Sequence, residues 1–209
     1  MRNRLTDAFH FLRCYASEQP CYLILFATAV CNARCKHCFY WEEISSADAR
    51  KELKPAEIEK IADSLRLVYL SIGGGEPFLR SDLVEVVEAF YRRSGLLYCN
   101  IVTNGFYTDR ILNVVETILR RCPRLKLKVQ LSFDDFEKEH DVYRGVPGIF
   151  ARAMESMRRL SLDVRATTPR FNLDVATCLT RTNKSRVTAL HDYLRSSVEF
   201  DAYQFLYPR

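Results

Sequence analysis

Apolar residues follow two rhythms along this chain, compact runs of strand length and longer stretches spaced for one face of a helix. Leu5, Phe9, Leu12 and Tyr15 lie near helical spacing and predict an N-terminal helix over residues 1–19, ended by Pro20. A first strand is expected at 21–28, where Tyr22-Leu23-Ile24-Leu25-Phe26-Ala27 is uninterrupted apolar sequence. Residues 42–52 are polar and read as loop, and Pro55 at a first helical position opens a helix carrying Ile58, Ile61 and Leu65. Strand then alternates with helix: a strand at 68–72, a helix with Leu83, Val86, Val87 and Phe90, a strand at 96–102, a helix at 108–121 and a strand at 125–133. A polar loop, a helix over 148–160, a strand at 171–180, a helix at 185–197 and a last strand at 200–207 complete the series.

Strands separated by helices in this way form βα units on a parallel sheet with right-handed crossovers. Six strands predict an α/β fold of the incomplete parallel (β/α)6 barrel type, in one domain over residues 20–209. The alternative is a flat doubly wound sheet. Polar clusters end each of the first five strands, and a barrel gathers such ends around one axis where a flat sheet would spread them along a line. In the fourth strand Leu125, Leu127, Val129, Leu131 and Phe133 alternate with Lys126, Lys128, Gln130, Ser132 and Asp134. The apolar set is expected against the helices, which leaves Ser132 and Asp134 on the inner side.

Composition narrows the setting. With 209 residues and 48% hydrophobic content the chain can bury a full core. No apolar run approaches the length of a membrane span, and the N-terminus lacks an apolar signal region, so a cytoplasmic location is expected. Three of the eight cysteines share one loop and the rest show no paired spacing, which suits one metal site in a reducing compartment better than a disulfide framework. The net charge of +5 is mild. Its densest stretch, Arg120 to Lys128, reads as a solvated helix end more readily than as a nucleic-acid surface, because no aromatics interleave it.

The chemistry starts at Cys31-Asn32-Ala33-Arg34-Cys35-Lys36-His37-Cys38. Three thiolates on a tight loop select zinc or an iron–sulfur cluster. Zinc would need His37 as its fourth ligand, and a side chain wedged between two ligands strains tetrahedral geometry. A [4Fe–4S] cluster held by three thiolates keeps one iron open for another molecule. Gly73-Gly74-Gly75-Glu76-Pro77 ends the second strand; its glycines admit a close approach to the backbone, and its carbonyls with the Glu76 carboxylate suit a cationic ammonium. Arg144 offers a planar fork for a carboxylate, with an ion pair to Asp141 as the structural alternative, and Ser132 offers a hydroxyl. Asn104 and Thr180 end the third and fifth strands and are candidates to line the pocket or merely to cap turns. Phe39-Tyr40-Trp41 is a candidate pocket wall.

The C-x3-C-x2-C loop, the Gly-Gly-Glu-Pro segment and the run Ser132-Phe133-Asp134-Asp135 with His140-Asp141 and Arg144-Gly145 together resemble the radical S-adenosylmethionine (SAM) superfamily, nearest to its sulfatase-maturase and peptide-modifying branch. That resemblance implies a [4Fe–4S] cluster on Cys31, Cys35 and Cys38 and SAM on its open iron. It implies further that Gly74, Gly75 and Glu76 hold the methionine end, that Ser132, Asp134 and Arg144 serve the carboxylate and ribose side, and that His37 and Leu206 flank the adenine, with Asn104 nearby. The expected function is reductive cleavage of SAM and hydrogen abstraction from a peptide, protein or small-molecule substrate, with an external low-potential electron donor as partner. Related maturases carry a cysteine-rich C-terminal extension for auxiliary clusters, and the expectation here is a core domain without one. The rival readings are a non-catalytic zinc or iron–sulfur fragment and an RNA-modifying enzyme.

Overall fold

Parallel strands cannot be joined by tight turns, so each must be followed by a crossover that returns the chain to the same end of the sheet. A computed structural model of the chain, which describes Leu12, Ala16 and residues 20–207, shows this arrangement throughout. Six strands, β1 (Tyr22–Thr28), β2 (Tyr69–Gly74), β3 (Tyr98–Thr103), β4 (Lys126–Ser132), β5 (Phe171–Cys178) and β6 (Ala202–Leu206), form one sheet in the order of the sequence. Every neighbouring pair is parallel. Crossovers of one hand between strands laid down in one direction put all helices on the same face. The other face becomes a lumen and the sheet curls. A doubly wound sheet would require the order to reverse part-way.

The helices are α1 (Trp41–Ser45), α2 (Pro55–Ser64), α3 (Leu83–Arg93), α4 (Thr108–Arg121), α5 (Glu137–Arg144), α6 (Ile149–Arg159) and α7 (Val187–Ser197), of which α1 and α5 bring Ile44 and Arg144 to the lumen side. Pro55 begins α2, and the Glu57 carboxylate accepts the Lys54 N–H at 2.7 Å to close its first turn. The core lies between helices and sheet, where Ile72, Phe90, Ile101, Val115, Val129, Leu131 and Leu173 are fully buried. In β4 the expected division holds. Leu127, Val129 and Leu131 are buried against the helices, and Ser132 and Asp134 face the lumen side.

Two expectations need correction, and a third is not tested. Residues 42–52 contain α1 and a short 3-10 turn at Ala49–Lys51 rather than loop alone. The stretch before α6 holds α5, eight residues read from the sequence as loop. The helix expected over 1–19 lies outside the described residues, apart from one bond of helical spacing from the Ala16 N–H to the Leu12 carbonyl. The cations of the basic run are engaged within the fold. Arg121 pairs with Glu85 and Glu88, Lys128 with Asp174, and Lys126 lies over the Tyr98 ring. Among the described residues no helix is long and apolar enough to cross a membrane.

Candidate functional site

The C-terminal ends of the strands surround one cavity of about 550 Å³. All twelve residues singled out above as binding or catalytic line it: Cys31, Cys35, Cys38, His37, Gly74, Gly75, Glu76, Asn104, Ser132, Asp134, Arg144 and Leu206. Of the three aromatics after the loop only Phe39 does so, and Thr180 does not. Thr180 instead bonds Asn183 and Thr182 in the turn after β5, the capping role.

β1 delivers the cysteine loop. Its pairing with β2 slips between Phe26 and Thr28, so the strand carries one extra residue just before the loop. Three elements then fix the loop. The Gly75 N–H donates to the Thr28 carbonyl at 2.7 Å and the Glu76 N–H to the Val30 carbonyl at 2.9 Å, zipping the end of β2 to the start of the loop. A Cβ at Gly74 would lie 2.4 Å from the Thr28 oxygen, and one at Gly75 2.3 Å from the Val30 oxygen. These glycines therefore make room for neighbouring backbone, where the sequence suggested room for a ligand; Gly74 also has φ 113°. From α5, the Arg144 and Tyr143 carbonyls accept the Arg34 and Lys36 N–H groups at 2.9 and 3.0 Å. The last carbonyls of a helix, which have no partner within it, are thus satisfied by the cysteine loop. From β3, the Asn104 amide donates to Asn32 Oδ1 at 2.8 Å and accepts the Phe106 N–H at 3.0 Å.

Glu76 is 1% exposed. Its Oε1 accepts from the Thr103 hydroxyl at 2.8 Å and the Phe78 N–H at 3.2 Å, and its Oε2 from the Asn104 N–H at 2.8 Å. A carboxylate has about four acceptor positions, so one remains, on Oε2. Burial raises its pKa from 4.5 to about 7 against the pull of those three bonds. Across the cavity Arg144 places Nε and Nη2 on Asp134 Oδ2 at 2.9 and 2.7 Å. The pair foreseen with Asp141 does not form, because Asp141 caps the start of α6 through the Gly148 and Phe150 N–H groups. His37 stacks on Tyr143, ring centres 5.0 Å apart, with Nε2 3.9 Å from Asp134 Oδ2. Burial lowers its pKa, with Asp134 opposing.

The seven described cysteines are free thiols. Burial pushes the Cys31 thiol up to about 11, with Glu76, Cys35 and Cys38 adding to the rise, and Cys35 is raised chiefly by burial, with Arg144 opposing. Three thiolates beside a carboxylate are costly without a cationic centre to share, and bound iron supplies one. Around one zinc ion thiolates lie about 2.3 Å from the metal and hence roughly 3.8 Å from each other. Among the described residues no three Cys, His, Asp or Glu side chains gather closely enough to hold a single metal ion. Three free thiols on the wall of one cavity are soft donors of the kind that hold an iron–sulfur cluster.

Several cavity and support residues escaped the sequence reading. Cys178 lines the cavity from β5, and its place two residues beyond Ala176 on the inner face was the available signal. Thr103 holds Glu76. Buried Arg80 donates to the Ala27 and Leu53 carbonyls at 2.7 and 2.6 Å, pinning the top of β1. Asn183 donates to the Asp134 and Cys178 carbonyls at 2.7 and 2.8 Å, clasping β4 to β5. No local pattern marks these last two.

An open parallel barrel with three free thiols gathered at the C-terminal ends of its strands has the architecture of an iron–sulfur enzyme. The chain belongs to the radical SAM superfamily, whose family description matches residues 25–190. The cofactors of that family are a [4Fe–4S] cluster and SAM. The chain is 31% identical over 104 residues to GTP 3′,8-cyclase of Haemophilus ducreyi, covering 48% of this chain and 31% of that protein. It is 29% identical over 146 residues to PqqA peptide cyclase of Granulibacter bethesdensis, covering 68% of this chain and 36% of that protein. Streptococcus suis SuiB bound to S-adenosylmethionine shares the fold at a TM-score of 0.66 and 16% identity, over 100% of this chain and 47% of that one. The chain thus spans between 31% and 47% of the length of these proteins.

Proposed function

We propose that residues 20–209 form the core domain of a radical SAM enzyme acting on a peptide. The observation that carries this reading is a single cavity in which three free thiols share walls with Glu76, Ser132 and Arg144. Cys31, Cys35 and Cys38 hold the cluster and leave one iron for SAM. The strand-end backbone at Gly74 and Gly75 and the remaining acceptor position of Glu76 take the SAM ammonium, while Arg144 and Ser132 take its carboxylate. His37 and Leu206 border the adenine, with Asn104 holding the loop between them and Glu76. When bound, the cluster supplies the electron from an external low-potential donor that cleaves the sulfonium and starts hydrogen abstraction.

The protein orients and excludes water. Burial brings the Glu76 pKa to about 7, and an ammonium beside it favours the carboxylate, so binding SAM releases a proton there. The peptide substrate rests on the likeness to PqqA peptide cyclase; the likeness to GTP 3′,8-cyclase makes a small molecule the competing substrate. Anaerobic reconstitution tests the reading. The expected protein is brown, holds about four irons per chain, and releases 5′-deoxyadenosine from SAM with reductant, and Cys35→Ala abolishes all three. A colourless protein with one zinc, or a loaded protein that leaves SAM intact, refutes it.

A further inference from the structure

Asp134 is bonded through both carboxylate oxygens, its N–H and its carbonyl, and its Oδ2 is filled by Arg144. Oδ2 accepts both Nε and Nη2 of Arg144, and Oδ1 accepts the Cys178 N–H at 3.0 Å. Its N–H donates to His140 Nδ1 at 3.1 Å, and its carbonyl accepts Asn183 at 2.7 Å. The residue is 1% exposed, so water does not compete for these bonds. Arg144 is 6% exposed, lines the cavity, and has Nη1 outside every bond it makes to Asp134.

From this geometry we infer that Asp134 is a positioning residue, one that touches no cofactor itself but locks the Arg144 guanidinium so that its free Nη1 edge is presented to the SAM carboxylate. The inference rests on the functional reading above and deepens it. A guanidinium is planar, so two bonds on its Nε–Nη2 edge fix the plane and the direction of Nη1. The backbone of Arg144 is meanwhile held by the Arg34 N–H of the cysteine loop. The same residue is therefore tied at its main chain to the thiolate loop and at its side chain to β4. Asp134, through its bond to Cys178, joins both to the end of β5. Preset in this way, the fork loses little freedom on binding. Without Asp134 the cation keeps its charge but not its aim, and it sits beside Cys31 and Cys35, which attract it.

The test uses the reconstituted protein and SAM as the probe, followed by the change in the electron paramagnetic resonance spectrum of the reduced cluster. Asp134→Asn keeps the shape and the Cys178 bond but turns a donor toward Arg144. It is expected to hold wild-type iron and to bind SAM roughly 10- to 100-fold more weakly, the range for a bond to a charged group. Arg144→Lys should weaken SAM to a similar degree, and the double variant no further, because the two residues act as a unit. Asp134→Glu, which restores the charge, should recover part of the loss, and it replaces the first variant if Asp134→Asn does not fold. Additive losses, unchanged affinity in Asp134→Asn, or affinity lost only in proportion to iron overturn the inference while the functional reading stands. A wild-type protein that takes up iron but no SAM overturns both.

Discussion

Glu76 shows how one side chain can be right for a ligand and costly without it. Its burial favours the neutral acid, and the cost of ionising it reappears in folding. A carboxyl whose folded pKa lies above its unfolded value makes no difference below pH 4.5, loses stability for the fold as pH rises toward 7, and has its full cost above that. The span from 4.5 to about 7 corresponds to about 3 kcal/mol. His140, held at about 3 by burial, runs the other way, its stability complete above 6.5 and lost as pH falls. The two offset each other in the wild type, so a variant is needed to separate them. In metal-free protein, urea unfolding of Glu76→Gln against wild type should give a difference that moves in favour of the variant by about 3 kcal/mol between about pH 4.5 and 7.5. A difference that stays flat would mean that Glu76 ionises freely in the fold. Glu76 itself was legible from its place after three glycines. The reason for the glycines was not, since it depends on Thr28 and Val30 carbonyls more than forty residues earlier. The partner of Arg144 was hidden for the same reason, because Asp141 is nearer in sequence and only the fold brings Asp134 closer.

At the scale of elements, hydrophobic spacing found what buries apolar faces and missed what does not. α4 places Ile111, Leu112, Val115, Ile118 and Leu119 on one buried face, and its bounds match the sequence reading. α5 buries only His140 and Arg144, four residues apart on one face, so a scan for apolar periodicity passes over it. α1 is five residues long with Ile44 alone buried. Yet α5 is the element that carries Arg144 and grips the cysteine loop, and its end depends on Gly145, which has φ 68°. A Cβ there would lie 3.1 Å from the Arg34 oxygen as well as in the left-handed region, which costs other residues roughly 1–2 kcal/mol. Gly145→Ala should therefore loosen the grip. Amide hydrogen exchange at Arg34 and Lys36 is expected to speed up by about tenfold or more, while exchange in β3 stays as in wild type. Unchanged protection at those two amides would show that the loop holds itself.

For the molecule as a whole, the sequential strand order separates stability from chemistry along the barrel axis. Strand and helix alternation gave the barrel directly, and the polar ends of the strands gave its active end, because both are written in local pattern. What joins those ends is not local: Asn183 across β4 and β5, Arg80 across β1 and the segment before α2, and Asn104 with Asn32 across β3 and the loop. Leu127, 1% exposed, sits at the base of β4 opposite Cys99 and Phe171, five positions before Ser132. Leu127→Ala removes three buried carbons and leaves a cavity among helices, a change worth about 2–5 kcal/mol. Because the thiols, Glu76 and Arg144 are fixed by bonds among the strand ends, the folded fraction of this variant should still take up iron and bind SAM as wild type does. The measurement pairs urea unfolding of the metal-free protein with SAM titration of the reconstituted one at low temperature. If SAM affinity fell in step with stability, the two ends of the barrel would be one cooperative unit, and the cavity would owe its geometry to the packing below it rather than to the bonds around its rim.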